Sequence, residues 1–229
     1  MTTEYIFGDI HEKIKDISDN TINLIYTSPP YGITHAKWDN PLKWDMLFPE
    51  MWRVLKPNGI IVLHASMPFT YELLKYQRPK YHYTWIKNNS TTPFLAKIQP
   101  LRLNEEVFVY YKKKGTYNPQ MVGDTFHNTE MNVFNKLGQE YYGKNKYKIR
   151  HNLKTGHKGR YPTTHLQYNI RIKGGGITRP DDMMDYFIKT YSNENDTVLD
   201  LTTCNTYLGK RCTLLKRNFI GVDIVPFEI

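Results

Sequence analysis

Apolar positions along this chain switch between two periods. Short runs dense in β-branched and aromatic residues read as strands: Tyr5-Ile6-Phe7, Ile22 to Tyr26, Ile60 to Leu63, Tyr83 to Ile86, Val107 to Tyr111, Thr197 to Leu199 and Phe219 to Val222. Between them lie helical spacings. Ile10, Ile14 and Ile17 recur at four and three residues, an amphipathic segment runs about Trp44 to Leu55, and Tyr71 to Tyr76 follows. Later, Met184, Phe187 and Tyr191 mark a helix opened by Asp181 and Asp182, whose charges suit its amino end, and roughly Gly209 to Lys216 forms the last. Lys56-Pro57-Asn58-Gly59 reads as a break, and Asn104-Glu105-Glu106 as the lead into the Val107 strand. Strands alternating with helices predict an α/β fold with a doubly wound, mostly parallel, Rossmann-like sheet.

From Lys112 to about Lys173 the periodicity collapses into Gly, Asn, Lys and Tyr, which predicts an insertion, partly loop, at residues 112–173 between sheet halves at 1–111 and 174–229. Charge sharpens this division. The chain carries a formal +9, and this stretch holds 13 Lys and Arg against 3 Asp and Glu, so the whole excess sits in it. Tyr117, Phe126, Phe134, Tyr141, Tyr142, Tyr147, Tyr161 and Tyr168 are interleaved with the cations. Cations for phosphates and rings for bases point to nucleic acid.

At 229 residues the chain can bury one substantial core with one elaboration. It has no apolar run near the roughly 20 residues of a membrane span, and Met1-Thr2-Thr3-Glu4 leads directly into a strand. A soluble, cytoplasmic protein is expected, with no membrane partner. Cys204 and Cys212 suit neither a metal site nor a disulfide framework and read as reduced thiols. His127, His151, His157 and His165 are scattered without a cysteine pair, so no metal is expected.

The strongest chemical signal is Ser28-Pro29-Pro30-Tyr31, at the end of the Ile22 run. Two prolines remove two N–H donors and fix φ near −65°, so the strand must leave its ladder as a stiff, extended loop. There the Ser28 hydroxyl and the Pro29 carbonyl can accept hydrogen bonds from an exocyclic amine, and the Tyr31 ring offers a stacking face. Such a loop can hold a flipped nucleobase.

With these residues in hand, the chain resembles the permuted, β-type class of site-specific DNA amino-methyltransferases, short phage and prophage members above all. The motif order matches: Gly8-Asp9, the Ser28 to Tyr31 loop, the basic region, then the strands from Val198 to Asp223. Flanking matches are Lys37-Trp38-Asp39, Lys56-Pro57-Asn58-Gly59, Gln99-Pro100-Leu101-Arg102, Thr116 to Gln120, Arg160-Tyr161-Pro162 and Phe219-Ile220-Gly221. The resemblance implies methyl transfer from S-adenosylmethionine to adenine N6 or cytosine N4 in double-stranded DNA. It implies base-pocket roles for Ser28, Pro29, Pro30 and Tyr31, and a cofactor site at Asp9, Asp200, Thr202, Cys204 and Asp223, with Asp223 on the ribose. Residues 112–173 become the target-recognition region, and Lys37, Arg102, Lys144, Lys146, Lys148, Arg150, Lys158 and Arg160 the DNA contacts. It also implies a homodimer, or a heteromer with an active methyltransferase, in a restriction-modification setting.

The chain departs from that pattern on the cofactor side. The family loop Asp-x-x-x-Gly-x-Gly is here Asp200 to Thr206, with Cys204 and Thr206 in place of both glycines. A side chain forced to positive φ costs about 1–2 kcal/mol. The preceding His-Pro-x-x-Lys-Pro motif is reduced to Gly175 to Pro180. Two readings therefore stand: an active enzyme with an altered loop, or a catalytically silent DNA-binding homologue or recognition subunit. A Ser at the first loop position suits cytosine N4, whereas the flanks favour adenine N6. RNA as substrate is a third reading.

Overall fold

The computed structural model describes residues 1–127, 157–173 and 176–225. The chain forms two compact units, one of Met1–Asn118 with Thr163–Ile229, the other of Pro119–Pro162.

The larger unit is built on an eight-stranded sheet. Its strands are β1 (Thr3–Phe7), β2 (Ile22–Thr27), β3 (Leu55–Ala65), β4 (Tyr81–Ile86), β5 (Asn104–Tyr110), β8 (His165–Gln167), β11 (Thr197–Asp200) and β12 (Asn218–Asp223), in spatial order β1-β12-β11-β2-β3-β5-β4-β8. The run from β1 to β3 is parallel, β5 is antiparallel to both its neighbours, and β8 lies parallel to β4. The doubly wound, mostly parallel sheet is thus as expected. Its reversed strand, β5, starts at the edge where β2 and β3 end.

Alternation along the strands sends side chains to two cores. Ile25, Ile61, Leu63, Phe108 and Leu199 face one way, under helices α1 (Ile10–Lys13), α2 (Trp44–Val54) and α3 (Phe69–Tyr76). Leu24, Tyr26, Val62, Val109 and Val198 face the other, under α4 (Asp181–Tyr191) and α5 (Tyr207–Leu214). On α2, Trp44, Leu47, Phe48, Met51 and Val54 make the buried stripe that the periodicity requires, while Pro49 stays on the solvent side.

Three local expectations change. The first helix continues only as a 3₁₀ turn at Ile14–Asp16. Lys56 to Gly59 does not break the chain; it is taken into β3 as an irregularity, the register jumping from Ile22 opposite Leu55 to Leu24 opposite Ile60. Asn104, Glu105 and Glu106 do not precede β5 but belong to it, paired with Ile86, Trp85 and Thr84 of β4.

The region read as an insertion contributes more regular structure than its periodicity suggests. β8 joins the main sheet, and β9 (Arg171–Lys173) pairs with β10 (Gly176–Thr178). In the smaller unit β6 (Val122–His127) pairs antiparallel with β7 (His157–Arg160). Among the described residues, no helix is long and apolar enough to cross a membrane.

Candidate active site

Buried β2, flanked by β11 and β3, delivers Ser28 to the carboxyl edge of the sheet, which is where open α/β sheets place their ligands. Pro29 is buried and anchors the loop, whereas Ser28 and Tyr31 are partly exposed. The Tyr31 ring stacks on Phe69, centroids 5.3 Å apart and planes 16° from parallel. Phe69 therefore covers one face of that ring. Tyr31 Oη donates to Glu105 Oε2 at 3.2 Å and lies 3.4 Å from Ser28 Oγ. The second Glu105 oxygen receives Lys87 Nζ at 2.9 Å, and Lys87 is only 3% exposed. Burial first, then Glu105, pushes the Tyr31 phenol well above its ordinary value, so it remains a donor. Glu105 and Lys87 carry no sequence signal beyond charges in apolar surroundings.

The segment after Tyr31 is tied by one carboxylate. Asp39 is 6% exposed and accepts from the N–H groups of Gly32, Ile33 and Thr34 at 2.8, 3.0 and 2.7 Å, and from Thr34 Oγ1 at 2.7 Å. Burial raises its pKa, but these four donors outweigh burial and bring it below the ordinary value. Gly32 stands at φ +66°, and a Cβ there would lie 2.5 Å from Pro41 Cγ, so the turn requires glycine. The Lys37-Trp38-Asp39 segment thus contributes Asp39 as the clamp on this loop, while Lys37 is exposed.

The proposed cofactor residues converge at the ends of three adjacent strands. Asp9 follows β1, Asp200 ends β11 and Asp223 ends β12, with Gly8 N donating to Asp223 O at 2.8 Å and Thr203 N to Val222 O at 2.9 Å. Asp9 is also the N-cap of α1, accepting from His11 N at 2.9 Å, the main reason its pKa is lowered. Cys204 adopts φ +57°, the left-handed conformation expected of the glycine it replaces. Thr206 does not: at φ −84° it has an ordinary backbone, so its replacement of glycine carries no conformational penalty. Cys204 N donates to Asp223 Oδ2 at 2.7 Å, and Val225 N to Oδ1 at 2.9 Å. Thr202 reaches back to the base loop, its hydroxyl 3.4 Å from Ser28 O and 3.3 Å from Thr27 Oγ1. Carboxylates at Asp9 and Asp223 beside a left-handed backbone turn fit the diol and ammonium of S-adenosylmethionine.

Beneath both loops lies a charge pair that sequence reading missed. Arg179 Nη2 sits 3.2 Å from Asp200 Oδ2, with Asp200 fully buried and the guanidinium 5.0 Å over the Tyr26 ring. Burial pushes the Asp200 carboxyl up, and Arg179, Thr27 and the Thr202 N–H pull it back. Arg179-Pro180, the remnant of the reduced motif, was its only signal.

Of the residues read as DNA contacts, Lys144, Lys146, Lys148 and Arg150 lie outside the described residues. In the smaller unit, exposed Lys158 pairs with Asp124 at 2.9 Å, and Arg160 is exposed. Arg102 is held inside the larger unit, its Nη1 donating to Ser66 Oγ at 3.0 Å and to Met67 O at 2.5 Å. Among the described residues no cluster of His, Cys, Asp and Glu could hold a metal, and both cysteines are free.

Comparison with known proteins identifies the family and the fold. The N6/N4 methyltransferase family, described as DNA methylase, matches residues 22–229. The type II methyltransferase M.HpaI of Haemophilus parainfluenzae is 25% identical, over 98% of this chain and 71% of its own length. M.BglII of Bacillus subtilis is 24% identical over 95% of this chain, which spans only 64% of that relative. Among solved structures, PvuII cytosine-N4-specific DNA methyltransferase superposes with a TM-score of 0.65 at 15% identity, covering 99% of this chain and 83% of that one. The M1.HpyAVI complex with S-adenosylmethionine gives 0.60 at 21% identity, over 98% and 95%. The chain belongs to the N6/N4 family of S-adenosylmethionine-dependent DNA methylases.

Proposed function

We propose that this protein methylates an exocyclic amine of a base flipped out of double-stranded DNA, adenine N6 in preference to cytosine N4. The observation that carries an active enzyme over a silent homologue is Cys204. It keeps a left-handed backbone where the family has glycine and turns its N–H onto Asp223, which supports a working cofactor loop despite the substitution. Bound S-adenosylmethionine supplies an electrophilic methyl group. Asp9 and Asp223 would hold its ammonium and ribose ends, and Thr202 ties that loop to the Ser28 backbone. Ser28 Oγ and the Pro29 carbonyl would accept hydrogen bonds from the two amine N–H groups and aim the nitrogen lone pair, a gain in orientation and in charge stabilisation. The adenine preference is supported by the flanking Lys37-Trp38-Asp39 and Gln99 to Arg102 segments.

The test is calorimetric titration with S-adenosylmethionine, with and without DNA, followed by mapping of the methylated base. Micromolar binding and N6-methyladenine are expected. DNA binding without cofactor binding up to millimolar would replace this reading with a silent recognition subunit.

A further inference from the structure

Glu105 sets the direction of the hydrogen bonds around Ser28. A carboxylate without a proton can only accept, an ammonium can only donate, and a tyrosine hydroxyl has one proton to give. Lys87 Nζ satisfies Glu105 Oε1 at 2.9 Å, and the remaining oxygen, Oε2, takes the Tyr31 proton at 3.2 Å. Tyr31 Oη then has only lone pairs to offer Ser28. In the 3.4 Å contact between them, Ser28 must be the donor. Its own lone pairs are left for an incoming N–H. At 3.4 Å the contact lies at the long end of hydrogen bonding.

We infer that Glu105, acting through Tyr31 and Ser28, is the terminal proton acceptor for the methylated amine and makes Ser28 an obligate acceptor. The inference rests on the methyltransferase reading above. As the nitrogen–methyl bond forms, the sulfur–methyl bond breaks and its electron pair stays on sulfur. The amine nitrogen gives a proton to Ser28 Oγ, Ser28 gives its own to Tyr31 Oη, and Tyr31 gives its own to Glu105 Oε2. The sulfonium charge and the carboxylate charge disappear together, leaving a neutral thioether, a neutral methylated base and a protonated Glu105. A base amine that has just gained a fourth substituent is a far stronger acid than a carboxylic acid, so the transfer runs toward Glu105. The Glu105 side chain is 16% exposed, which gives the proton a route to solvent between turnovers.

Two substitutions cut the relay at different points. Glu105→Gln keeps the shape, but with Lys87 holding the amide oxygen its NH2 faces Tyr31 and reverses the bonds. Tyr31→Phe keeps the ring and removes the hydroxyl. Single-turnover transfer would be measured with tritiated S-adenosylmethionine and DNA from a methylation-deficient bacterial strain. Circular dichroism, calorimetric cofactor affinity and DNA affinity by gel shift would be measured alongside. Each variant is expected to lose about 100-fold in transfer rate, with both affinities kept within about twofold. The double variant should be no slower than the worse single one, because both cut the same path. Single-variant rates within about twofold of the unsubstituted protein, or losses that multiply in the double variant, would overturn the relay and leave the methyltransferase reading in place. No transfer by the unsubstituted protein would overturn both.

Discussion

The backbone N–H of Cys204 points at Asp223 Oδ2 from 2.7 Å, so the residue standing in for a loop glycine orients the carboxylate at the tip of the neighbouring strand. The strand ends β11 and β12 are thereby fastened to each other by a turn in a conformation that cysteine tolerates poorly.

That strain is measurable. Cys204→Gly should stabilise the protein by about 0.5–1 kcal/mol, the relief of positive φ less the added freedom of the unfolded chain. The melting temperature should rise by about 1–4 °C. Thr206→Gly, at φ −84°, has no strain to relieve and should give no rise. Scanning calorimetry of the two variants separates the positions, and equal effects would remove the special status of Cys204.

Asp39→Ala should cost about 1–2 kcal/mol, since four donors lose their acceptor on a segment that water can reach. The pH dependence has a definite sign. Because the folded pKa of Asp39 is lowered, its contribution is complete above the ordinary value of about 4 and is lost as pH falls through the folded one. Urea titrations from neutral pH into the acid range should show a steeper acid loss in the unsubstituted protein than in the variant. Parallel profiles would mean that the clamp contributes nothing.

Arg179→Met should destabilise the larger unit by about 3–5 kcal/mol, because it leaves the Asp200 carboxylate buried without a partner. Adding Asp200→Leu to that variant should recover much of the loss, the lone charge being the main cost. Urea midpoints of the single and double variants decide this, and a double variant worse than the single would refute the pairing argument.

Ser28→Ala should abolish methyl transfer while leaving DNA affinity within a few-fold, since it removes the proposed acceptor for the amine and leaves the basic side chains unchanged. Filter assays for transfer and gel shifts for binding make the comparison. Undiminished transfer would remove Ser28 from the base pocket.

Replacing Lys144, Lys146, Lys148 and Arg150 together by Gln should reduce the slope of log affinity against log salt by up to about 3–4, near 0.9 for each phosphate no longer neutralised. Fluorescence anisotropy with a duplex over a range of salt gives the slope. An unchanged value would place the DNA face elsewhere.

The order of strands and helices and the position of the Ser28 to Tyr31 loop were legible in the sequence, from side-chain period and from the missing donors of two prolines. Residue 204 stood out only through the family resemblance, whose loop has glycine there, joined to the rarity of positive φ outside glycine. Only the tertiary structure decided that Cys204 is left-handed while Thr206 is not, because that depends on how the turn must reach Asp223. The same holds for Tyr31 with Glu105, for Glu105 with Lys87 and for Arg179 with Asp200, which stand 74, 18 and 21 residues apart. Antiparallel β5 brings its first residues to the edge where parallel β2 ends, so Glu105 arrives beside Tyr31 by virtue of sheet order. A charge becomes part of a site when the fold places it in a low-dielectric setting beside one partner. That is a property of strand order and register, and no window of sequence contains it.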